Sequence, residues 1–346
     1  MPRLLIGSLV LALAVVAVRA DDATDKPKDK PSGDEAYKAL MQETVKAFRA
    51  AESQDEKRKV LDQFSPKFVE FAKANPKSKA ALQALMTVLS MPSSDTKDGP
   101  KAKALQILQQ NYADSKELGP VLRRLGMSDE PGVIDFLKVV IEKNPEKQVQ
   151  ADALKAILGN REGALVKAED AKAAAAIRAE IGGYRKLVEG KYKGMIKDLF
   201  VGAKMPELTS KDLKDNEVKL SDLKGKVVVL DLWATWCPPC RAMIPHERKL
   251  VERLKDKPFA LVSVSFDEEK KTLTDFLEKE KMPWTHWFNG QDGPIGKTLD
   301  VQFFPTIYVL DGNGVIRYKN VRENQLDKAV DTLIKETNSK KGGASE

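Results

Sequence analysis

The chain has 346 residues, 42% of them hydrophobic and 32% charged, with a formal net charge of +7 and only two cysteines. This is the composition of a soluble globular protein with room for two domains. It excludes a small scaffold stapled by many disulfides, which would need cysteines spread along the chain. It gives no support to a nucleic-acid surface, because the lysines are interleaved with acids and no arginine or aromatic cluster accompanies them.

Residues 1–20 open with Arg3, continue as an apolar run from Leu4 to Val18, and end in Val18-Arg19-Ala20 before the polar Asp21. A short positive start, an apolar stretch and a small-residue cleavage pattern are the parts of a secretory signal peptide. An uncleaved N-terminal anchor is the alternative, although a membrane span needs about 20 apolar residues and this run is shorter. The expected location is therefore periplasmic or otherwise exported. Residues 21–34, "DDATDKPKDKPSGD", are charged and nearly free of large apolar side chains, which predicts a disordered linker.

From 35 to 194 apolar residues recur at spacings of three and four among Ala, Lys, Glu, Leu and Gln, the period of amphipathic helices. Asn75-Pro76 and Asn144-Pro145 mark breaks, since proline cannot continue a helix and disfavours helical backbone before it. The expectation is an all-α domain, either a stack of degenerate helical hairpins or an irregular bundle. Ala171 to Gly194 reads as one long helix, interrupted or ended at Gly182-Gly183.

From 195 to 337 the pattern changes. Apolar runs at Lys226–Trp233, Phe259–Phe266, Thr306–Leu310 and Val315–Tyr318 read as strands, the last two joined by "DGNG", a hairpin signal. Helical stretches fall at Pro239–Leu254, Lys270–Lys281 and Asn324–Glu336. Strands alternating with helices and ending in a hairpin predict an α/β unit with a mixed sheet. Residues 338–346 read as a disordered tail.

Both cysteines lie in "VVVLDLWATWCPPCRAMIP", Val227 to Pro245. A bridge between Cys237 and Cys240 closes a tiny loop and removes little unfolded-state entropy, so chemistry explains the pair better than stability. A dithiol placed after a strand and opening a helix has a clear logic: the helix N-terminus stabilises the thiolate, and the thiolate is the nucleophile in disulfide exchange. Half of a zinc site is the rival, but zinc would need further ligands. His246 and His286 are the only histidines and are not spaced as a second pair.

"WATWCPPC" with "FFPT" downstream resembles the thioredoxin superfamily, and "LKGKVVVLDLWATWCPPCRAMIP" is similar to its exported TlpA/ResA branch of thiol-disulfide oxidoreductases. The likeness spans about Phe200 to Thr337. It implies a thioredoxin-like fold, Cys237 as an exposed nucleophile and Cys240 as the buried resolving cysteine. It also implies that Phe304-Pro305 forms a cis-proline loop offering backbone to a bound substrate strand, and that Pro245 kinks the active-site helix rather than ending it. Asp231 matches the buried aspartate of thioredoxins proper. A carboxyl in a buried strand is hard to ionise, so it can exchange protons near neutrality and take the proton of Cys240. Pairing with a lysine at the strand end is the bland alternative. Where the ResA type carries a glutamate after the second cysteine, this chain has Met243. Trp236, beside Cys237, is expected to shield the thiolate face and, with Phe304 and Pro305, to contact substrate. A peroxidase is disfavoured, since no proline stands at the position a peroxidatic motif requires.

The expectation is an extracytoplasmic oxidoreductase that reduces partner disulfides, needing no organic cofactor and no metal. Its partners would be a protein disulfide or dithiol and a membrane or envelope electron donor, with a protein partner for the helical domain. Pro238 and Pro239 between the cysteines add no charge, whereas a histidine there would argue for a strong oxidant. The alternative is an envelope interaction protein whose helical domain binds a partner and positions the redox domain.

Overall fold

A computed structural model describes residues 33–92 and 98–342. The expected signal peptide, nearly all of the expected linker and the last four residues lie outside the described residues. Among the described residues no helix is long and apolar enough to cross a membrane.

Among the described residues eight α-helices come first: α1 (Gly33–Ala50), α2 (Gln54–Ala74), α3 (Lys79–Ser90), α4 (Pro100–Asn111), α5 (Gly119–Leu125), α6 (Val133–Lys143), α7 (Lys147–Val166) and α8 (Ala171–Glu189). Their ends follow local chemistry. Ser53 and Glu56 form a reciprocal capping box at α2, and Ser78 and Asp170 accept the N–H groups of Ala81 and Ala173 at α3 and α8, which satisfies donors the helices leave open. Asn75 and Asn144 cap α2 and α6 where the sequence breaks were expected. Asn144 also donates to the carbonyls of Ala113 and Ser115, each at 2.9 Å. Helix α8 runs straight through Gly182-Gly183, contrary to the expected interruption. Two mid-helix glycines cost about 1 kcal/mol each against alanine. The alanine-rich flanks and the buried anchors Ile181 and Val188 on either side outweigh that cost.

The remaining elements are β1 (Thr209–Lys211), β2 (Glu217–Lys219), β3 (Val227–Trp233), α9 (Pro238–Arg253), β4 (Phe259–Ser265), α10 (Lys270–Lys279), β5 (Thr285–Phe288), α11 (Pro294–Leu299), β6 (Thr306–Leu310), β7 (Ile316–Lys319) and α12 (Glu323–Gly342). They build a seven-stranded sheet in the order β2-β1-β5-β4-β3-β6-β7. The β3/β4 and β4/β5 pairs are parallel; the others are antiparallel. This is the expected thioredoxin-like α/β fold after a helical region. Helix α12 continues past residue 337 into the expected tail, where no proline stops it and the lysines favour helix.

Strand β3 lies at the centre with all seven residues buried, which is why it reads as a continuous apolar run rather than an alternation. Its side chains still point alternately to two faces. Val227 and Val229 pack with Met243 and Leu250 of α9, Leu254 just after it, and Leu326, Val330 and Leu333 of α12. Val228, Leu230 and Leu232 face the other way. There the cover includes Ile295 and Leu299 of α11, but also Leu154, Leu158 and Leu165 of α7 and Ile181 and Val188 of α8. The segment between α8 and β1 joins the same core through Tyr192, Ile196, Leu199 and Phe200. One hydrophobic core therefore runs across residue 194. Polar contacts add to it: Glu162 of α7 accepts the buried Val201 N–H at 2.7 Å, and half-buried Arg178 of α8 donates to the Tyr318 hydroxyl at 2.8 Å.

Candidate active site

The dithiol sits where the central strand gives way to α9. Cys237 is the N-cap of that helix, and Pro238 and Pro239 are its first two residues. Neither proline has an N–H, and both suit a helix start. The first N–H the helix can offer is thus that of Cys240, and it donates to Cys237 Sγ at 3.2 Å. The two sulfurs are joined as a disulfide. The resemblance implies an exposed Cys237, yet in the disulfide it is 3% exposed against 4% for Cys240. Bonded to Cys240 and facing its N–H, the Cys237 sulfur is turned toward the helix. Helix α9 continues through Pro245 to Arg253, so that proline does not end it.

The loop before the dithiol is held from behind by an acid the sequence did not single out. Asp267, fully buried just after β4, accepts the Thr235 N–H at 3.1 Å and the Thr235 hydroxyl at 2.7 Å. Its other oxygen accepts the Ser265 hydroxyl at 2.7 Å. These three bonds fix residues two positions before Cys237.

In front, the Phe304-Pro305 peptide is cis, and Arg322 donates to the Pro305 carbonyl at 3.4 Å. Phe304 packs against the cluster that contains both cysteines. It meets Trp236 edge-on, with ring centroids 5.7 Å apart, and lies 5.0 Å from Phe266. Trp236 is 61% exposed and Phe303 52%. Between Trp236, Phe266 and Phe304 and the segment Gln291–Gln302 opens a groove of about 370 Å³. Trp236 and Phe304, two of the three residues expected to contact substrate, thus meet beside the dithiol, with Pro305 next in the chain.

Asp231 points to the same face of the sheet as Val227 and Val229, under α9. It is 4% exposed. The Ser263 hydroxyl donates to one of its oxygens at 3.4 Å and itself accepts from Trp284 Nε1 at 2.9 Å; the other oxygen has no partner. Burial raises its pKa to about 7, against the smaller opposing effects of Ser263 and Arg322. Among the described residues no lysine pairs with it, so the bland alternative of a strand-end ion pair finds no support there.

A second buried acid, missed by the sequence reading, lies on the helix above. Glu247 of α9 is 1% exposed. Burial and the neighbouring charge of Asp231 push its pKa well above the usual carboxylate range. The signal was legible: Cys240, Met243, Ile244, Glu247 and Leu250 fall at the three- and four-residue spacings of one helix face, and Glu247 is a charge inside that stripe. Among the described residues no group of histidine, cysteine and acid side chains is placed to hold a metal.

The profile of the Redoxin family matches residues 200–334. The chain is 34% identical over 119 residues to the thioredoxin-like protein YneN of Bacillus subtilis, a match covering 34% of this chain and 68% of that one. It is 28% identical over 135 residues to the thiol-disulfide oxidoreductase ResA of Bacillus cereus, covering 38% and 78%. Among solved structures it is similar to the thioredoxin domain of a thiol-disulfide oxidoreductase from Bacteroides vulgatus, at 31% identity over 40% of this chain and 99% of that one, with a TM-score of 0.38.

Proposed function

The chain belongs to the thioredoxin superfamily as a thiol-disulfide oxidoreductase, and from that premise we propose that it acts outside the cytoplasm, reducing disulfides in polypeptide substrates through Cys237 and Cys240. The observation that carries the assignment of roles is the Cys240 N–H aimed at Cys237 Sγ from a helix N-terminus whose first two residues have no N–H to give. That position favours a thiolate on Cys237. The Cys237 thiolate attacks one substrate sulfur, forming a mixed disulfide and releasing the other as a thiolate. Cys240 then attacks Cys237 Sγ, which closes the Cys237–Cys240 disulfide and releases the second substrate sulfur. The proton leaving Cys240 goes to Asp231. Two electrons from a membrane or envelope dithiol restore the pair.

The reducing direction rests on Pro238 and Pro239, which add no positive charge beside the thiolate. The exported location rests on the apolar segment and cleavage pattern of residues 1–20. Trp236, Phe304 and Pro305 receive the substrate segment, and the helical region, residues 35–194, is the surface for a protein partner. Cys240→Ala is expected to accumulate mixed disulfides through Cys237, while Cys237→Ala accumulates few or none. Equal trapping by the two variants, read on non-reducing gels with a disulfide-bonded protein such as insulin, would overturn the assignment.

A further inference from the structure

We propose that Asp231 and Glu247 share a single proton, and that Glu247 is thereby a positioning residue governing when Asp231 can accept the proton of Cys240. Its use in catalysis rests on the functional reading above; the shared proton does not.

The geometry comes first. Asp231 lies at the centre of the sheet, facing α9. Glu247 lies on the face of α9 that packs on the sheet, seven residues, or about two turns, past Cys240. Both are almost fully buried, and each has a carboxyl oxygen with no hydrogen-bond partner. A buried carboxylate without a partner is costly, and two of them side by side are more so. One proton held between the unmatched oxygens removes both costs: the protonated acid donates and the ionised one accepts.

The other groups nearby are engaged in part. Arg322, on the turn before α12, donates to the Pro305 carbonyl. On β5, His286 meets the Met282 carbonyl through Nε2 while its buried Nδ1 has no partner, and burial lowers its pKa, which favours the neutral ring. On α12, Asp327 is occupied by Arg253 at 3.0 Å and by His246 of α9 at 3.4 Å. From β4 only the neutral Ser263 approaches. Among the described residues no cation is paired with either acid, and the Asp231 charge acts on Glu247 directly.

Acids coupled this way titrate as a pair, with two macroscopic steps. The pair in its single-proton form takes up a second proton as Cys240 loses its own, and returns it to solvent or to the departing substrate thiolate. No oxidant or reductant beyond the dithiol is needed. The lower step falls near neutrality, where burial places the Asp231 carboxyl; burial and the Asp231 charge hold the Glu247 carboxyl above the usual carboxylate range.

Infrared spectroscopy of the oxidised full-length chain, following the protonated-carboxyl band against pH, tests this directly. In the native protein one protonated carboxyl should persist above about pH 8 and a second should be lost near pH 7. Glu247→Gln should abolish the persistent band but keep the step near neutrality, because an amide N–H can still donate to Asp231. Glu247→Leu offers no donor and should raise that step by about one pH unit, equivalent to a tenfold weaker acid. The pH midpoint for resolution of a mixed disulfide should move with it, while the Gln variant keeps the native midpoint. Absence of a persistent band in the native protein, or an unchanged Asp231 step in the Leu variant, would overturn the proposal. An inactive dithiol with the infrared pattern intact would instead overturn the functional reading and leave the shared proton standing.

Discussion

Replacing Asp231 by asparagine should stabilise the protein, and the gain should depend on pH. The native carboxyl titrates near 7, against an ordinary value of 3.8. Because the folded-state pKa is raised, the folded chain binds more protons than the unfolded one between about pH 4 and 7, and native stability falls as pH rises through that window. Each unit is worth about 1.4 kcal/mol, so the difference amounts to a loss on the order of 4 kcal/mol above pH 7. Asparagine never ionises and still offers the Ser263 hydroxyl an acceptor. The variant should match the native protein near pH 4, gain about 1.4 kcal/mol per unit above that, and level off at about pH 7. Urea unfolding of the oxidised full-length protein at several pH values reads this directly. A variant less stable than native at pH 8, or a difference that does not change with pH, would show that the carboxyl is ionised across the whole range and held by a cation, and the acid–base role would fail with it. General acid–base help is worth about 10² to 10⁴-fold, so the same variant should resolve mixed disulfides slowly while keeping the first attack by Cys237.

Asp267→Asn removes a carboxyl that accepts three hydrogen bonds and should cost about 1–3 kcal/mol; hydrogen exchange at the Thr235 amide should rise, and an unchanged amide would show that the loop is held by other contacts. A chain beginning near Met195 loses Leu154, Leu158, Leu165, Ile181 and Val188 from the shared core. At about 1.5–3 kcal/mol for each buried side chain, that loss matches the whole stability of a typical domain, about 5–15 kcal/mol. The fragment should aggregate or bind hydrophobic dyes, and a soluble, cooperatively unfolding fragment would refute the estimate.

What the sequence made legible follows the strength of local signals. Strands β3, β4 and β6 are dense in β-branched and apolar residues, and the dithiol and Phe304-Pro305 announce themselves by residue type. The hairpin of β1 and β2 escaped because its strands have three residues each, "TSK" and "EVK", with little apolar pattern. Strand β5, "THWF", is too short to show a period, and α11 has only six residues. Asp267 and Glu247 escaped for another reason: one acid looks like any other until the fold buries it. The helical region looked separable because composition changes near residue 194, but composition does not report which side chains meet across that boundary. The leucines of α7 fit a helical bundle equally well whether they face another helix or a sheet.

The segment that joins the two regions has a mechanical consequence. With Tyr192, Ile196, Leu199 and Phe200 sunk in the common core and the Val201 amide tied to Glu162, residues 190–208 behave as a weld. A welded joint keeps the helical surface at a constant bearing and span from the disulfide. A protein gripped by α1–α6 would be offered to the sulfurs from one direction only, so reach as well as chemistry would decide which of its cystines is cut.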